Sequence, residues 1–427
     1  METRRIHALK WLAAIATLAS LFATGCGSGG SGGGPTTLRV AASFATPADK
    51  AALAAVISDF TRTHADIKVN VTYTPIAQYD QVLGTQIAGG NAPDLMYVQP
   101  GAAHTTGAIP LAKKGALLDL SDQSWTKRIP ASMRGLVTEG GKVYAWPQEI
   151  SFEGMIYNQS VLDRLKVAIP TTPSEVVTYC RKLKTAGVTP YELYLQDVFG
   201  GYQLLYSLVA TTVYEKTPDW DQQRMTGKTT FAATPGWRGA LQTYLELRDA
   251  GCFQKSPNGT PISQALAALT TGKAGGTPSV SVVLALAQQA NPKGRFAMAP
   301  FPGADAGNAV TGGPLTAWAV SARTQHKAAA LTFLRYVSDP KVNREIARRA
   351  GNIATVDFAA LKLPPGLARF VPYLRRGDLH VLPGLNWPAG IQDTTLGPGI
   401  QALFSGSQSV SGLLRQLDNA WNAGARR

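Results

Sequence analysis

Three polar residues at alternate positions, Glu149, Ser151 and Glu153, interrupt an apolar run that ends in Met155-Ile156-Tyr157-Asn158. Spaced by two, they project to one face of a β-strand, where their oxygens can take the hydrogen bonds of a polyhydroxylated solute. Two of them are carboxylates. The pair could also hydrolyse a glycosidic bond if its carboxyls lay ~5–10 Å apart with one held protonated. A surface hairpin with solvated carboxylates fits the spacing equally well. A second constellation is Gln196-Asp197-Val198-Phe199-Gly200-Gly201-Tyr202. There Asp197 can accept hydroxyl hydrogen bonds while Phe199 or Tyr202 stacks on the apolar face of a pyranose. The alternative puts both rings in the core and makes Asp197 a helix cap.

The elements that must position these groups follow from pattern and punctuation. Gly140-Gly141 fits a tight turn, Val143 to Trp146 is β-rich, and Pro147 removes a backbone donor, which interrupts a central ladder. The run from Glu149 therefore reads as a strand crossing between two α/β bodies. Ahead of it, strands at Thr37–Val40, Val69–Tyr73 and Leu95–Val98 alternate with helices at Ala48–Thr61 and Gln78–Ala88. That βαβαβ order describes a mostly parallel sheet, whose ligands sit at the carboxyl ends of its strands. Ser43, Phe44 and Gln99 occupy those ends, whereas Asp94 reads as a turn residue. Beyond the crossing, Thr172 caps a helix with Pro173 first and Glu175 reaching back. Further helices are read at Leu204–Thr211, Trp237–Ala250, Ile262–Thr270, Lys327–Val337, Lys341–Arg349 and Val410–Trp421. A second crossing is read at Arg295–Pro302, and Gly312-Gly313 as a close backbone approach to a ligand or a simple turn. Gly351–Thr355 reads as a third crossing, and Trp387 and Asp393 follow in the tail.

The run from Gly141 to Asn158 resembles the "GKxYxxP…xxxYN" signature of extracellular solute-binding proteins of ABC importers, nearest to the sugar-binding branch that includes maltose-binding proteins. Gly90-Asn91-Ala92-Pro93-Asp94-Leu95 and Gly272-Lys273-Ala274 are similar to two further landmarks, and the resemblance spans residues 36–425. It implies an α/β, periplasmic-binding-protein-like fold of two α/β lobes joined by a three-crossing hinge at about 147–151, 297–301 and 351–355. Lobe 1 would be 36–146 with 302–350, and lobe 2 would be 147–301 with 351–427. Ligand would be met by Ser43, Phe44, Gln99, Glu149, Ser151, Asp197, Phe199, Tyr202, Ser279, Gly312, Gly313, Trp387 and Asp393. Trp387 is the leading aromatic platform; it could equally anchor the tail. Ser279 and Ser281 stand where the family often offers a tryptophan, so the resemblance implies no aromatic platform from this loop.

Composition bounds the rest. A chain of 427 residues, 45% hydrophobic and 16% charged, is long enough for two folded domains. Arg4, Arg5 and Lys10 precede an apolar run, Trp11 to Phe22, too short to span a bilayer. Ala23-Thr24-Gly25-Cys26 then resembles a lipobox. Residues 1–25 are thus read as a lipoprotein signal peptide, Cys26 as the lipidated residue, and 26–35 as lipidated Cys and Gly/Ser tether. Its glycine-serine run spans roughly 15 Å. A plain secretory signal is the alternative. The net charge of +14 is scattered without the basic and aromatic stripe of a nucleic-acid groove. Cys180 and Cys252 can pair after export. Five histidines and no CxxC argue against a metal site, and no cofactor is expected. No Gly-x-Ser-x-Gly elbow, phosphate-binding glycine loop or His-Glu-x-x-His is present. The reading is a non-enzymatic receptor, lipid-anchored to the outer face of the bacterial cell membrane. It is expected to be a monomer that binds a carbohydrate by hinge closure and docks on permease subunits. The alternatives are a receptor for a glycerophosphodiester or other small solute, and an exported glycoside-processing enzyme.

Overall fold

The computed structural model describes residues 34–44, 47–303, 309–350, 352–358 and 363–425. The expected signal peptide, Cys26 and the tether up to Gly33 lie outside the described residues. Among those described, no helix is long and apolar enough to cross a membrane.

Among the described residues, fourteen strands carry the fold. They are β1 (Thr36–Phe44), β2 (Ile67–Pro75), β3 (Leu95–Val98), β4 (Thr138–Glu139), β5 (Lys142–Val143), β6 (Ala145–Pro147) and β7 (Glu149–Asn158). After them come β8 (Thr189–Tyr191), β9 (Ala274–Val280), β10 (Phe296–Ala299), β11 (Val310–Gly313), β12 (Ala317–Val320), β13 (Ile353–Ala354) and β14 (Leu379–Val381). In β1, Thr37 and Arg39 are exposed on either side of buried Leu38, while Val40, Ala41 and Ala42 are all buried, so the strand is covered on one face at its start and on both in its middle. It pairs in parallel with β2 and β3. The five-stranded sheet runs β2-β1-β3-β12-β6, with β12 antiparallel to both neighbours. Helices Pro47–Thr63 and Lys327–Val337 cover it through Phe60, Phe333 and Leu334. Asp94 bridges this sheet, accepting from the Arg39 amide at 2.8 Å and the Thr324 hydroxyl at 2.6 Å.

The second sheet has seven strands in all: β14-β11-β7-β9-β8, with β10 and β13 also on β7. Along β7, β13 meets Glu149–Ile150, β11 meets Ser151–Phe152 and β10 meets Met155–Asn158, all antiparallel. Helix Pro173–Thr185 packs against this sheet; Thr172 accepts from the Glu175 amide at 3.3 Å and Glu175 takes the Thr171 amide at 2.7 Å.

The chain passes between the sheets three times: at Gln148, between Gly313 and Ala317, and between the helix Pro340–Ala350 and β13. This corrects the second crossing expected at Arg295–Pro302. Phe296–Ala299 stays in the second sheet on β7, and β11, within the stretch expected in lobe 1, pairs there as well. Prolines at 300 and 302 end one ladder without carrying the chain out of the sheet. The passages are tied together: the Gln148 amide donates to the Thr316 carbonyl at 3.1 Å, Asn343 Nδ2 to the Gln148 carbonyl at 2.8 Å, and the Thr355 hydroxyl to the Pro147 carbonyl at 2.9 Å.

A disulfide joins Cys180 to Cys252 across 72 residues, with Cα atoms 5.1 Å apart and both residues buried. Closing so long a loop restricts the unfolded chain, so replacing both cysteines with serine should cost roughly 2–4 kcal/mol of stability. Thermal melting of the double variant checks this; an unchanged melting temperature would show that the bridge adds no stability.

Candidate ligand-binding cleft

The carboxyl ends of β1 and β3 meet the passages between the sheets. Ser43, Phe44, Tyr97, Gln148, Glu149, Thr316 and Asn352 share a cavity of about 180 Å³, walled also by Trp318 and Leu315. The Tyr97 ring lies 4.1 Å from that of Trp318. Glu149 is buried and its Oε1 accepts from the Thr316 hydroxyl at 2.7 Å. Lys50 Nζ stands 5.9 Å from the Phe44 ring, outside the cavity lining. Gln99 does not line this cavity; its carbonyl takes the Ala108 amide at 2.8 Å. Sequence reasoning brought Ser43, Phe44 and Glu149 here and missed Tyr97, Gln148, Thr316, Trp318 and Asn352. The available signal was Pro147: the residue after a ladder break lies at the passage between the sheets.

Several expected ligand contacts are internal. Ser151 is fully buried with Oγ 2.8 Å from Ser281 Oγ, and Ser281 also accepts the Phe152 amide at 3.2 Å. Ser279 is fully buried, its Oγ 3.1 Å from the Tyr194 hydroxyl. Gly312 is glycine because of the sheet: a Cβ there would stand 2.7 Å from Phe152 Cδ1 and 3.0 Å from the Ser151 carbonyl oxygen. Gly313 is buried beside Leu385 and Leu382. Trp387, the leading platform, has no exposed surface. Its Nε1 donates to Asp221 Oδ1 at 3.0 Å, and its ring packs on Phe231, Trp237 and Trp421 at 5.1 to 5.9 Å. An indole enclosed by three rings with its donor satisfied is core. Asp197 Oδ2 accepts the Ile262 amide at 2.6 Å and so holds the start of helix Ile262–Thr270, not that of its own helix Val198–Val209.

One corner of the expected site stays partly accessible. Tyr202 is half-buried, and its hydroxyl donates to Oδ1 of the exposed Asp393 at 3.3 Å. Its ring lies 5.1 Å from that of Tyr206, whose hydroxyl donates to Gln392 Oε1 at 2.7 Å. Phe199, also half-buried, meets Tyr194 edge-on at 5.9 Å. The Tyr202 hydroxyl is held above the usual phenol range by burial first, then by the charge of Asp393.

Glu153 is buried, and its Oε2 accepts from the Thr311 hydroxyl at 3.3 Å. Burial pushes its carboxyl well above the ordinary carboxylate range, against which that hydrogen bond acts weakly. Strand rise puts the Cα atoms of Glu149 and Glu153 roughly 13 Å apart, and each carboxyl is turned to its own threonine. The folded state holds a proton on Glu153 that the unfolded state releases, so stability falls as pH rises above 4.5 toward the native value. Glu153→Gln removes that slope. The variant should gain melting temperature over wild type from pH 5 to pH 8; an equal difference at both would show Glu153 titrates alike in both states. Trp387→Ala should cost about 3–5 kcal/mol of stability as a core truncation. Chemical denaturation reads this, and a loss below 1 kcal/mol would contradict the packing.

Comparison with known proteins follows the same geometry. A model of bacterial extracellular solute-binding proteins matches residues 44–344. The chain is 26% identical over 291 residues to the multiple sugar-binding protein of Streptococcus mutans, a match covering 67% of this chain and 68% of that protein. It is 27% identical over 149 residues to the melibiose/raffinose/stachyose-binding protein of Bacillus subtilis, covering 35% of this chain and 33% of the relative. The apo-form of RafE from Streptococcus pneumoniae superposes with a TM-score of 0.73 at 21% identity, over 92% of this chain and 99% of that one. The fold is therefore a periplasmic-binding-like one, with two α/β lobes on two sheets. With a family match running from the end of β1 into the helix Pro340–Ala350, the chain belongs to the bacterial extracellular solute-binding proteins.

Proposed function

We propose that the protein is the extracytoplasmic substrate-binding component of an ABC importer, and that its solute is a neutral carbohydrate. The observation that carries the reading is the cavity at the meeting of β1, β3 and the three passages. Its lining is largely aliphatic and adds hydroxyl, amide and aromatic groups, one carboxylate and, among the described residues, no lysine or arginine. Such a lining suits hydroxyl recognition with apolar faces for a sugar ring, and gives a phosphodiester no cation to pair with. The names of relatives that bind melibiose, raffinose and stachyose point the same way. The wide spacing and separate partners of Glu149 and Glu153 support a receptor over a glycosidase. Ser43, Phe44, Glu149, Phe199, Tyr202 and Asp393 are proposed as ligand contacts, and Gln99 as a neighbour of the site. One lobe is built on the first sheet and one on the second, and ligand shifts the population toward closure about the three passages. Lipidation of Cys26, a monomeric state and docking on permease subunits complete the proposal.

A thermal-shift screen against raffinose, stachyose, melibiose, amino sugars and glycerophosphodiesters tests it, because a ligand that binds only folded protein raises the melting temperature. A neutral sugar is expected to give the shift. Tyr202→Ala should then weaken that sugar by about 1–3 kcal/mol in calorimetry. A shift with a glycerophosphodiester alone would overturn the carbohydrate reading.

A further inference from the structure

Two buried amides in the passages lack the partners that burial requires. Gln148 is 1% exposed, and among the described residues neither its Oε1 nor its Nε2 has a hydrogen-bond partner. Asn352 is 9% exposed, and its Oδ1 has none either. A buried polar group left unpaired is costly, and native proteins leave few of them. Both residues line the same cavity, whose volume of about 180 Å³ far exceeds the ~10–15 Å³ that one water needs. The backbones of both are fixed independently of their side chains: the Gln148 amide donates to Thr316, its carbonyl accepts from Asn343, and the Asn352 amide donates to Ala347 at 2.8 Å. Ser151, Ser279 and Ser281 show the contrast, since each of those buried hydroxyls has a protein partner.

We propose that Gln148 and Asn352 form a specificity subsite that hydrogen-bonds one neutral hydroxyl-bearing ring of the ligand, resting on the receptor reading above. Gln148 supplies a donor and an acceptor, Asn352 an acceptor, and Phe44, Tyr97 and Trp318 supply apolar surface for the ring's carbon face. An amide pair of this kind rejects a deoxy analogue, which would leave the amides unpaired again. Charge is not what the subsite reads: Glu149 is already engaged by Thr316. Position gives the subsite a second consequence. Gln148, Thr316 and Asn352 lie one in each passage between the sheets, so a ring bound here touches all three segments about which the lobes would close.

The near-isosteric variants Gln148→Met and Asn352→Leu test this in the full-length protein. Thermal shift with raffinose, stachyose and melibiose first finds the sugar that stabilises wild type; calorimetry with that sugar follows. The expected result is a tenfold or greater loss of affinity in each variant, with a ligand-free melting temperature equal to or above wild type. Affinity within twofold of wild type in both variants would overturn the subsite while leaving the receptor reading intact. A lower ligand-free melting temperature with unchanged affinity would overturn it too, by showing that the amides are satisfied within the fold. If none of the three sugars shifts wild type, the carbohydrate reading falls and takes the subsite with it.

Discussion

A strand buried along its whole length cannot carry carboxylates and hydroxyls unless each finds a partner, and β7 carries two of each, the Tyr157 hydroxyl lying 3.5 Å from that of Tyr191. All ten of its residues are buried. Glu149 is met by Thr316, Ser151 by Ser281 and Glu153 by Thr311, three partners from three different segments. Much of the second body is arranged to deliver them. Strand β11 brings Thr311 alongside, the start of helix Ser281–Ala290 brings Ser281, and the passage after β11 brings Thr316. The same strand takes β9, β10, β11 and β13 as ladder neighbours, which makes it the axis of the second sheet and the landing point of two passages from the first.

From that constraint follows the division between structural and ligand-facing groups. Polar residues inside the second sheet spend their hydrogen bonds on the fold, so alternation along β7 describes burial of a polar face, not exposure of one. The groups proposed to meet ligand begin where ladders stop. Gln148 lies at the passage between β6 and β7, Asn352 ahead of β13, and Phe44 at the carboxyl end of β1. Backbone at those points is fixed by neighbours, and the side chains are released from the demands of the sheet.

Much of the fold was legible. Strand Leu95–Val98 and helices Ile262–Thr270 and Lys327–Val337 fall at the residues that periodicity and punctuation mark, and the cap at Thr172 forms as its Thr-Pro-Ser-Glu run requires. The site was less legible, for a physical reason. An aromatic after a Leu-Pro-Gly turn fits a sugar platform and a core equally, and only the third dimension shows Trp387 enclosed by Phe231, Trp237 and Trp421. Asp197 could be read as a cap, yet the helix it serves begins 65 positions away, at Ile262. Pairing between β11 and β7 is equally non-local, which is why Gly312 read as an approach to ligand when its hydrogen makes room for Phe152.

Hinge motion places the strongest demand on the passages, because they must hold the lobes in register yet leave the closing equilibrium within reach of ligand. A ligand can shift that equilibrium only by its differential affinity for the two states. Contacts confined to one lobe bind ligand without biasing closure; contacts in the passages touch the segments whose geometry closure must change. The hydrogen bonds that Gln148 donates to Thr316 and accepts from Asn343, and that Thr355 donates to Pro147, couple the passages through a backbone group at one end or both. Side chains in the same segments then remain available to ligand without loosening the joint. A cleft built this way can exchange its specificity residues at positions 148 and 352 while the backbone bonds that define the hinge stay in place.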